Sequence, residues 1–191
     1  MADSPGFLNV DWSKLPVPED DGAARHLESA RLPDVALPAS DGTSVGLGKL
    51  AGRTVVFAYP MTGTPGVALP EGWDLIPGAR GCTPHTCAFR DLHAELTAAG
   101  ASAVFGLSTQ TAAEQTATAE RLHLPFPLLS DSDLRLARAM TLPVMDVAGK
   151  TMIKRLALIV DDGVVTKVFY PVFPPDRNAG DVLAWLKAHP R

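Results

Sequence analysis

Residues 81–91, GCTPHTCAFRD, contain both cysteines of this 191-residue chain. Pro84 lies between Cys82 and Cys87, and it fits only the first turn of a helix because proline lacks a backbone N–H. The residue before a proline avoids the α region, which places the helix boundary near Thr83 and Cys82 at the mouth of the helix. Unpaired backbone N–H groups at a helix start favour an anion, and therefore the thiolate form of Cys82.

The spacing of the two cysteines argues against a structural disulfide. Five residues of α-helix rise about 7.5 Å and rotate about 500°, so the two Cα atoms lie roughly 8–9 Å apart on different faces. A disulfide requires a Cα separation of no more than about 6.8 Å. The thiols can therefore bond only if the first turns unwind, which suits one thiol that reacts and a second that later reacts with it.

Other interpretations of this stretch stay open at the level of residues alone. Cys82 and Cys87 could be two small buried hydrophobic side chains that happen to be neighbours. A zinc site through Cys82, His85 and Cys87 is a further alternative, although it has too few nearby ligands of the usual kind. The stretch has no C-x-x-C pattern, which weighs against a thioredoxin-like dithiol.

The segments around this stretch predict an α/β fold with a mixed central sheet. Apolar, β-branched or alternating runs, bounded by turn residues, predict the strands. They lie at 54–59, 101–109, 126–131, 155–160 and 164–170, with a further pair within 32–47 around Asp41 and Gly42. Apolar periodicity predicts the helices. They cover 87–100 (ended by Gly100), 112–124, 132–140 (capped by Ser132) and 176–189.

Composition limits the kind of protein. Hydrophobic residues make up 46% of the chain and charged residues 20%, with a formal net charge of −4, which favours one globular domain and argues against a nucleic-acid partner. No apolar stretch approaches the roughly 20 residues that span a bilayer, and the N-terminus lacks the pattern of a secretory signal. We therefore expect a cytoplasmic protein without a membrane partner. We expect residues 1–31 to form an N-terminal arm and residues 32–191 to form the domain.

The ordered set of motifs resembles the peroxiredoxins, specifically the Q-type or bacterioferritin-comigratory-protein-like branch. The resemblance covers roughly residues 32–188. The similar segments, in chain order, are LPDVALPASDGTSVGLGKLAGRTVVFAYP (32–60), GCTPHTCAFRDL (81–92), GLSTQTAAEQ (106–115), LPFPLLSDSDLRLARAM (124–140) and KRLALIVDDGVV (154–165).

The resemblance implies a thioredoxin-like fold and a thiol-dependent peroxidase. Cys82 would be the peroxidatic cysteine, Cys87 the resolving cysteine, and Arg155 the arginine that stabilises thiolate and peroxide. On the sequence alone, without the resemblance, Arg155 is expected to be a surface residue at a strand start. The implied substrates are hydrogen peroxide or organic hydroperoxides, and the implied reductant is thioredoxin or a similar dithiol protein. No metal or organic cofactor is expected, and the chain would be a monomer or weak dimer. A peroxide sensor with little turnover is the alternative.

One part of the family pattern is broken. The family usually has P-x-x-x-T-x-x-C, in which the proline shields the site and the threonine hydroxyl contacts peroxide. Pro60 and Thr64 match its first part, but Val67 stands where the cysteine is expected, and residues 67–81 intervene before Cys82. Either the insertion loops out and Thr64 still reaches the site, which we favour, or other groups replace it. On the insertion, Trp73 and Arg80 either cover the site or only pack the loop.

Overall fold

The structure is a computed structural model that describes residues 10–191. The first nine residues of the predicted arm lie outside the described residues. In chain order, the strands are β1 (Ala36–Pro38), β2 (Ser44–Gly46), β3 (Arg53–Ala58), β4 (Ala103–Ser108), β5 (Leu128–Ser130), β6 (Val144–Val147), β7 (Lys150–Ile153), β8 (Leu156–Asp161) and β9 (Val164–Phe169). The α-helices are α1 (Cys82–Asp91), α2 (His93–Ala98), α3 (Ala112–Arg121), α4 (Arg135–Met140) and α5 (Asn178–Ala188).

A five-stranded mixed sheet forms the centre, in the order β5-β4-β3-β8-β9. Strands β3, β4 and β5 are parallel, whereas β8 pairs antiparallel with both β3 and β9. The predicted α/β class with a mixed sheet flanked by helices is therefore confirmed, as are the strands predicted within 32–47, which pair as β1 and β2.

Strand β3 is buried along its whole length, as its continuous apolar run predicts. Because successive side chains of a strand point to opposite faces, β3 contributes to two hydrophobic cores. Val56 and Ala58 pack into the core on one face of the sheet. Val55 and Phe57 pack into the core on the other face, which also contains Cys82. The thiol at the start of α1 therefore lies against the sheet.

The helices differ from the sequence prediction at two places. The helix begins at Cys82, as the position of Pro84 predicts, but the stretch predicted over 87–100 is divided at Leu92 into α1 and α2, with Gly100 at φ 105° after the second. Ser132 does not cap α4. The buried Asp131 carboxylate takes that role, accepting bonds from the backbone N–H groups of Leu136 at 3.1 Å and of its neighbour at 2.8 Å.

The hairpin of β6 and β7 was not predicted. Its two-residue turn, Ala148 and Gly149, has positive φ at both positions (51° and 75°), which is the geometry that usually selects Asn-Gly. The hairpin packs against the insertion at 67–81. Trp73 and Ala79 of the insertion form a small core with Val147 and Met152 of the hairpin.

Residues 10–31 pack against the domain. The indole N–H of Trp12 donates to the Asp176 carboxylate at 2.9 Å, and Asp21 accepts from Lys154 and from the Tyr170 hydroxyl, both at 2.8 Å. Within residues 10–191, no helix is long and apolar enough to cross a membrane.

Candidate active site

Helix α1 begins without a side-chain cap. The residue before it, Gly81, has φ 101° and, as a glycine, has no side chain that could accept a hydrogen bond from the first turn. A Cβ at Gly81 would lie 2.7 Å from the Trp12 ring and 2.8 Å from Pro175, so glycine is required by both conformation and space. Cys82 is the first helical residue and is buried. Its sulfur therefore lies at a helix start whose N–H groups remain available to an anion.

Arg155 reaches Cys82 from the chain just before β8. Its Nη2 lies 3.2 Å from Cys82 Sγ. The same nitrogen lies within 3.1–3.3 Å of the carbonyl oxygens of Gly78, Ala79 and Arg80, the last residues of the insertion. Arg155 is only 3% exposed, so it is not the surface residue that the sequence alone allowed. A fixed positive charge is therefore in contact with the sulfur.

A second group holds the other end of the guanidinium. Arg155 Nη1 lies 2.9 Å from His85 Nδ1, and His85 Nε2 lies 2.9 Å from Asn178 Oδ1. His85 is fully buried, and both burial and the Arg155 charge hold its pKa well below the ordinary value. The imidazole is therefore neutral, and its two nitrogens are occupied by Arg155 and Asn178. That arrangement removes His85 from the zinc alternative.

Cys87 lies further along α1 and is also buried. The helix is unbroken from Cys82 through Asp91, and no disulfide joins the two cysteines. The structure thus has the reduced arrangement that the spacing predicts, with the two thiols separated by more than one helical turn.

A small recess opens beside Cys82, and the insertion forms much of its wall. The lining residues come from the segment after β3, the insertion and the start of α1: Met61, Gly63, Leu69, Trp73, Arg80, Gly81, Thr83 and Pro84. Trp73 is 4% exposed and also belongs to the small core with the β6–β7 hairpin. Arg80 is held by the Asp74 carboxylate at 3.1 Å. Both residues therefore pack the loop and line the site, and the two alternatives are not exclusive.

Pro60 and Thr64 are not among the residues that line this recess. Pro60 is buried after β3, whereas Thr64 is exposed in a turn closed by the N–H of Val67 at 3.0 Å. The buried hydroxyl of this segment belongs to Thr62, which bonds to Gln110 at 3.0 Å. The structure brings Cys82 and Arg155 into contact, carries Cys87 on the same helix, and leaves the Thr64 side chain outside the recess.

Three residues make contacts at the site that the sequence did not predict, namely His85, Asn178 and Trp12. His85 was considered only as a metal ligand, although its position one turn after Cys82 indicated a shared helix face. Asn178 lies 93 residues from His85, and no local pattern connects them. Trp12 belongs to the arm, whose lack of periodicity gave no sign that one aromatic ring packs over Gly81.

Known proteins share this architecture. The family model described as Redoxin matches residues 27–183. The chloroplastic peroxiredoxin Q of Oryza sativa subsp. japonica is 31% identical over 162 residues, covering 84% of this chain and 67% of that protein. The crystal structure of peroxidoxin BcpB from Mycobacterium tuberculosis superposes with a TM-score of 0.68 at 30% identity, covering 86% of this chain and 98% of that one.

A further solved structure concerns peroxide chemistry. The bacterioferritin comigratory protein of Xanthomonas campestris has a TM-score of 0.65 at 27% identity, over 92% of this chain and 97% of that chain. That protein has alkyl peroxide reduction activity, and its structures include trapped intermediate and ligand complexes. The chain described here is thus similar in sequence and in fold to these proteins.

Proposed function

Because this chain belongs to the redoxin family and, within it, to the peroxiredoxin Q type of thiol-dependent peroxidase, we propose that Cys82 is the cysteine that attacks the peroxide. The family resemblance and the thioredoxin-like fold predicted from the sequence are confirmed by these matches. One observation supports the assignment of Cys82 most strongly. Its sulfur lies 3.2 Å from Arg155 Nη2, at the start of a helix that has no side-chain cap.

In the first step, the Cys82 thiolate attacks the terminal oxygen of a hydroperoxide. The S–O bond forms, the O–O bond breaks, and the leaving oxygen takes a proton and departs as water or an alcohol, which leaves a sulfenic acid. Arg155 donates to the sulfur and to the peroxide. Its buried Nε has no hydrogen-bond partner among the described residues, and this donor is available to a peroxide oxygen.

In the second step, Cys87 resolves the sulfenic acid. Its thiol sulfur attacks the sulfur of Cys82, a disulfide forms, and water leaves. The first turns of α1 have to unwind for this, because the intact helix holds the two sulfurs apart. A dithiol protein such as thioredoxin then supplies two electrons and restores both thiols.

The partners and setting follow as further proposals. Hydrogen peroxide and organic hydroperoxides are the substrates, and the protein acts as a monomer or weak dimer in the cytoplasm, without nucleic acid or membrane. A reducing compartment suits two cysteines that have to return to the thiol state. The rice relative is named as chloroplastic, so location differs among proteins of this type.

The remaining sequence-based roles are proposed as they were predicted. Pro60 shields the site from its position after β3. The Thr64 hydroxyl contacts peroxide, which requires the exposed turn at 64–67 to move toward the recess. Residues 1–31 act as an arm on the domain at 32–191, and the packing of Trp12 over Gly81 supports a role at the active-site helix.

Turnover separates the peroxidase from a sensor. The full chain is mixed with hydrogen peroxide, thioredoxin, thioredoxin reductase and NADPH, and NADPH consumption is followed. A peroxidase consumes many equivalents per protein, whereas a sensor consumes one and stops. A Cys82→Ser variant, whose hydroxyl is a far weaker nucleophile, is the matched control and is expected to consume none.

A further inference from the structure

The recess beside Cys82 is very small. It has about 10 Å³ of room for the centre of a water molecule, and a cavity needs roughly 10–15 Å³ by this measure to hold one water. Cys82 lines the recess and is only 3% exposed. A substrate that reaches the sulfur through this opening therefore finds space for about one small polar group.

Side chains of the insertion at 67–81 form one wall of the recess. Trp73 contributes an indole ring and Leu69 a branched aliphatic chain. Both also pack into the small core that contains Val147 and Met152 of the β6–β7 hairpin. Because protein interiors are closely packed, neither side chain can swing away from the recess without disturbing that core.

The backbone of the insertion is held on both sides of Trp73. On one side, the N–H of Leu75 donates to the carbonyl of Gly72 at 2.9 Å, which closes a turn around Trp73. On the other side, the carbonyl groups of residues 78–80 accept from Arg155 Nη2 at 3.1–3.3 Å. The wall is thus fixed by side-chain packing and by hydrogen bonds, and we expect it to keep its place when a substrate enters.

The direction of attack decides which part of a hydroperoxide meets this wall. The thiolate attacks the terminal oxygen in line with the O–O bond, so the leaving oxygen and its substituent project away from the sulfur. In hydrogen peroxide the leaving oxygen carries only a hydrogen atom. In a tertiary hydroperoxide it carries a carbon with three further substituents. A recess with room for one small polar group accommodates the first substrate and not the second.

From this geometry we infer that Trp73 and Leu69 are specificity-determining residues, which favour hydrogen peroxide and hinder tertiary hydroperoxides at Cys82. The inference rests on the proposed function and orders the substrates within it. Hydrogen peroxide reacts fastest, a primary alkyl hydroperoxide more slowly, and a tertiary hydroperoxide slowest. The restriction comes from the insertion at 67–81, where this sequence departs from the family pattern.

The test begins with the rate constants for oxidation of the fully reduced chain, measured by stopped flow. The oxidants are hydrogen peroxide, ethyl hydroperoxide and tert-butyl hydroperoxide. Each rate constant is divided by that of the same oxidant with a small-molecule thiol, which removes differences in intrinsic reactivity. The normalised rate for tert-butyl hydroperoxide should be about 100-fold or more below that for hydrogen peroxide, because one misfitting methylene alone costs about 10-fold or more. Ethyl hydroperoxide should lie between them.

Variants of the wall should change the ratio of these rates, which a merely structural role would not do. Trp73→Ala is expected to raise the normalised rate with tert-butyl hydroperoxide at least about 10-fold, with a much smaller change for hydrogen peroxide. Leu69→Ala should act in the same direction. Because Leu69 is only half-buried, this variant also serves if Trp73→Ala does not fold. The matched control is Trp185→Ala, which removes an indole that stacks on His189 of the C-terminal segment and does not line the recess.

The inference is overturned if the normalised rates of the wild type are equal for hydrogen peroxide and tert-butyl hydroperoxide. It is also overturned if no folded variant at Trp73 or Leu69 shifts the ratio, or if Trp185→Ala shifts it as much. Failure of the proposed function gives a different result. In that case none of the three oxidants reacts rapidly with Cys82 in the wild type.

Discussion

Two helices of this protein begin in opposite ways. At α3 the Thr111 hydroxyl accepts from the N–H of Glu114 at 3.3 Å, and the Glu114 carboxylate accepts from the N–H of Thr111 at 2.7 Å, which forms a complete capping box. At α1 the preceding residue is Gly81, which has no side chain to cap with, and the first helical residue is Cys82. One helix start is closed by its own sequence, and the other is left open.

The capped start of α3 contributes to stability, whereas the uncapped start of α1 suits the chemistry that we propose. A capping box uses the free N–H groups of the first turn and fixes the helix in place. The start of α1 leaves those groups to the thiolate that we propose at Cys82. It relies on neighbours for its position, namely the Trp12 ring and Pro175 over Gly81, and Arg155 on Cys82. A helix start held in this way can stabilise a thiolate and can also unwind when a disulfide forms.

Replacement of the thiol at the open helix start should have the largest effect on peroxide consumption. Cys82→Ser is expected to abolish peroxide consumption, whereas Cys87→Ser should still react once and retain a sulfenic acid at Cys82. Mass spectrometry after dimedone treatment locates the adduct. An adduct at Cys87 in the Cys82→Ser variant, with no reaction in Cys87→Ser, would reverse the two roles.

Removal of the charge at the open helix start should have the next largest effect. Arg155→Ala is expected to slow the first oxidation on the order of 100- to 1,000-fold, as for the loss of one donor aimed at developing charge. The control is Arg53→Ala, because Arg53 is also buried in the domain but pairs with Asp161 at 2.8 Å. That variant should lower stability and leave the rate per folded molecule unchanged. Equal rates for Arg155→Ala and the wild type would remove Arg155 from the site.

A side chain at Gly81 should disturb the open start through strain. The residue has φ 101°, and a Cβ would meet Trp12 at 2.7 Å, so Gly81→Ala is expected to lower the free energy of unfolding by roughly 1–3 kcal/mol. Urea unfolding of the reduced protein measures this. In a Trp12→Ala background, Gly81→Ala should cost less, because the clash with Trp12 is gone while the contact with Pro175 and the strain in φ remain. If Gly81→Ala costs the same in both backgrounds, the Trp12 contact contributes nothing to its effect.

Removal of the cap from the closed start should have the smallest effect. Thr111→Ala is expected to lower the free energy of unfolding by about 1 kcal/mol, the usual cost of an N-cap, without changing the rate of Cys82 oxidation. Thr111→Ser retains the hydroxyl and is the matched control. A slower oxidation in Thr111→Ala alone would mean that the two helix starts are coupled.

The sequence predicted the fold best where one local signal was sufficient. Buried runs such as 54–59 and the β8–β9 turn could be predicted because their residues have strong preferences of their own. The β6–β7 hairpin could not, because its turn uses Ala148 at φ 51°, which is not a usual residue for that geometry. The division of α1 from α2 at Leu92 has no marker in the sequence.

The site could be predicted in part for the same reason. Cys82 and Cys87 are close in sequence to the proline that marks the helix start, and the motif around Arg155 is local to its strand. The contacts of Trp12 and Asn178 join segments far apart in the chain, and only the folded packing brings them to α1. The exposed position of Thr64 depends on the path of the insertion, which has no pattern of its own.

Amide hydrogen exchange in the two redox forms tests the contrast between the helix starts most directly. In the disulfide form, the amides of about residues 83–90 should exchange faster than in the reduced form, because Cys82 and Cys87 can bond only when those turns unwind. The amides of α3 should keep the same protection in both forms. Equal protection across 83–90, with the disulfide confirmed by mass, would contradict the unwinding and the role assigned to the open start of α1.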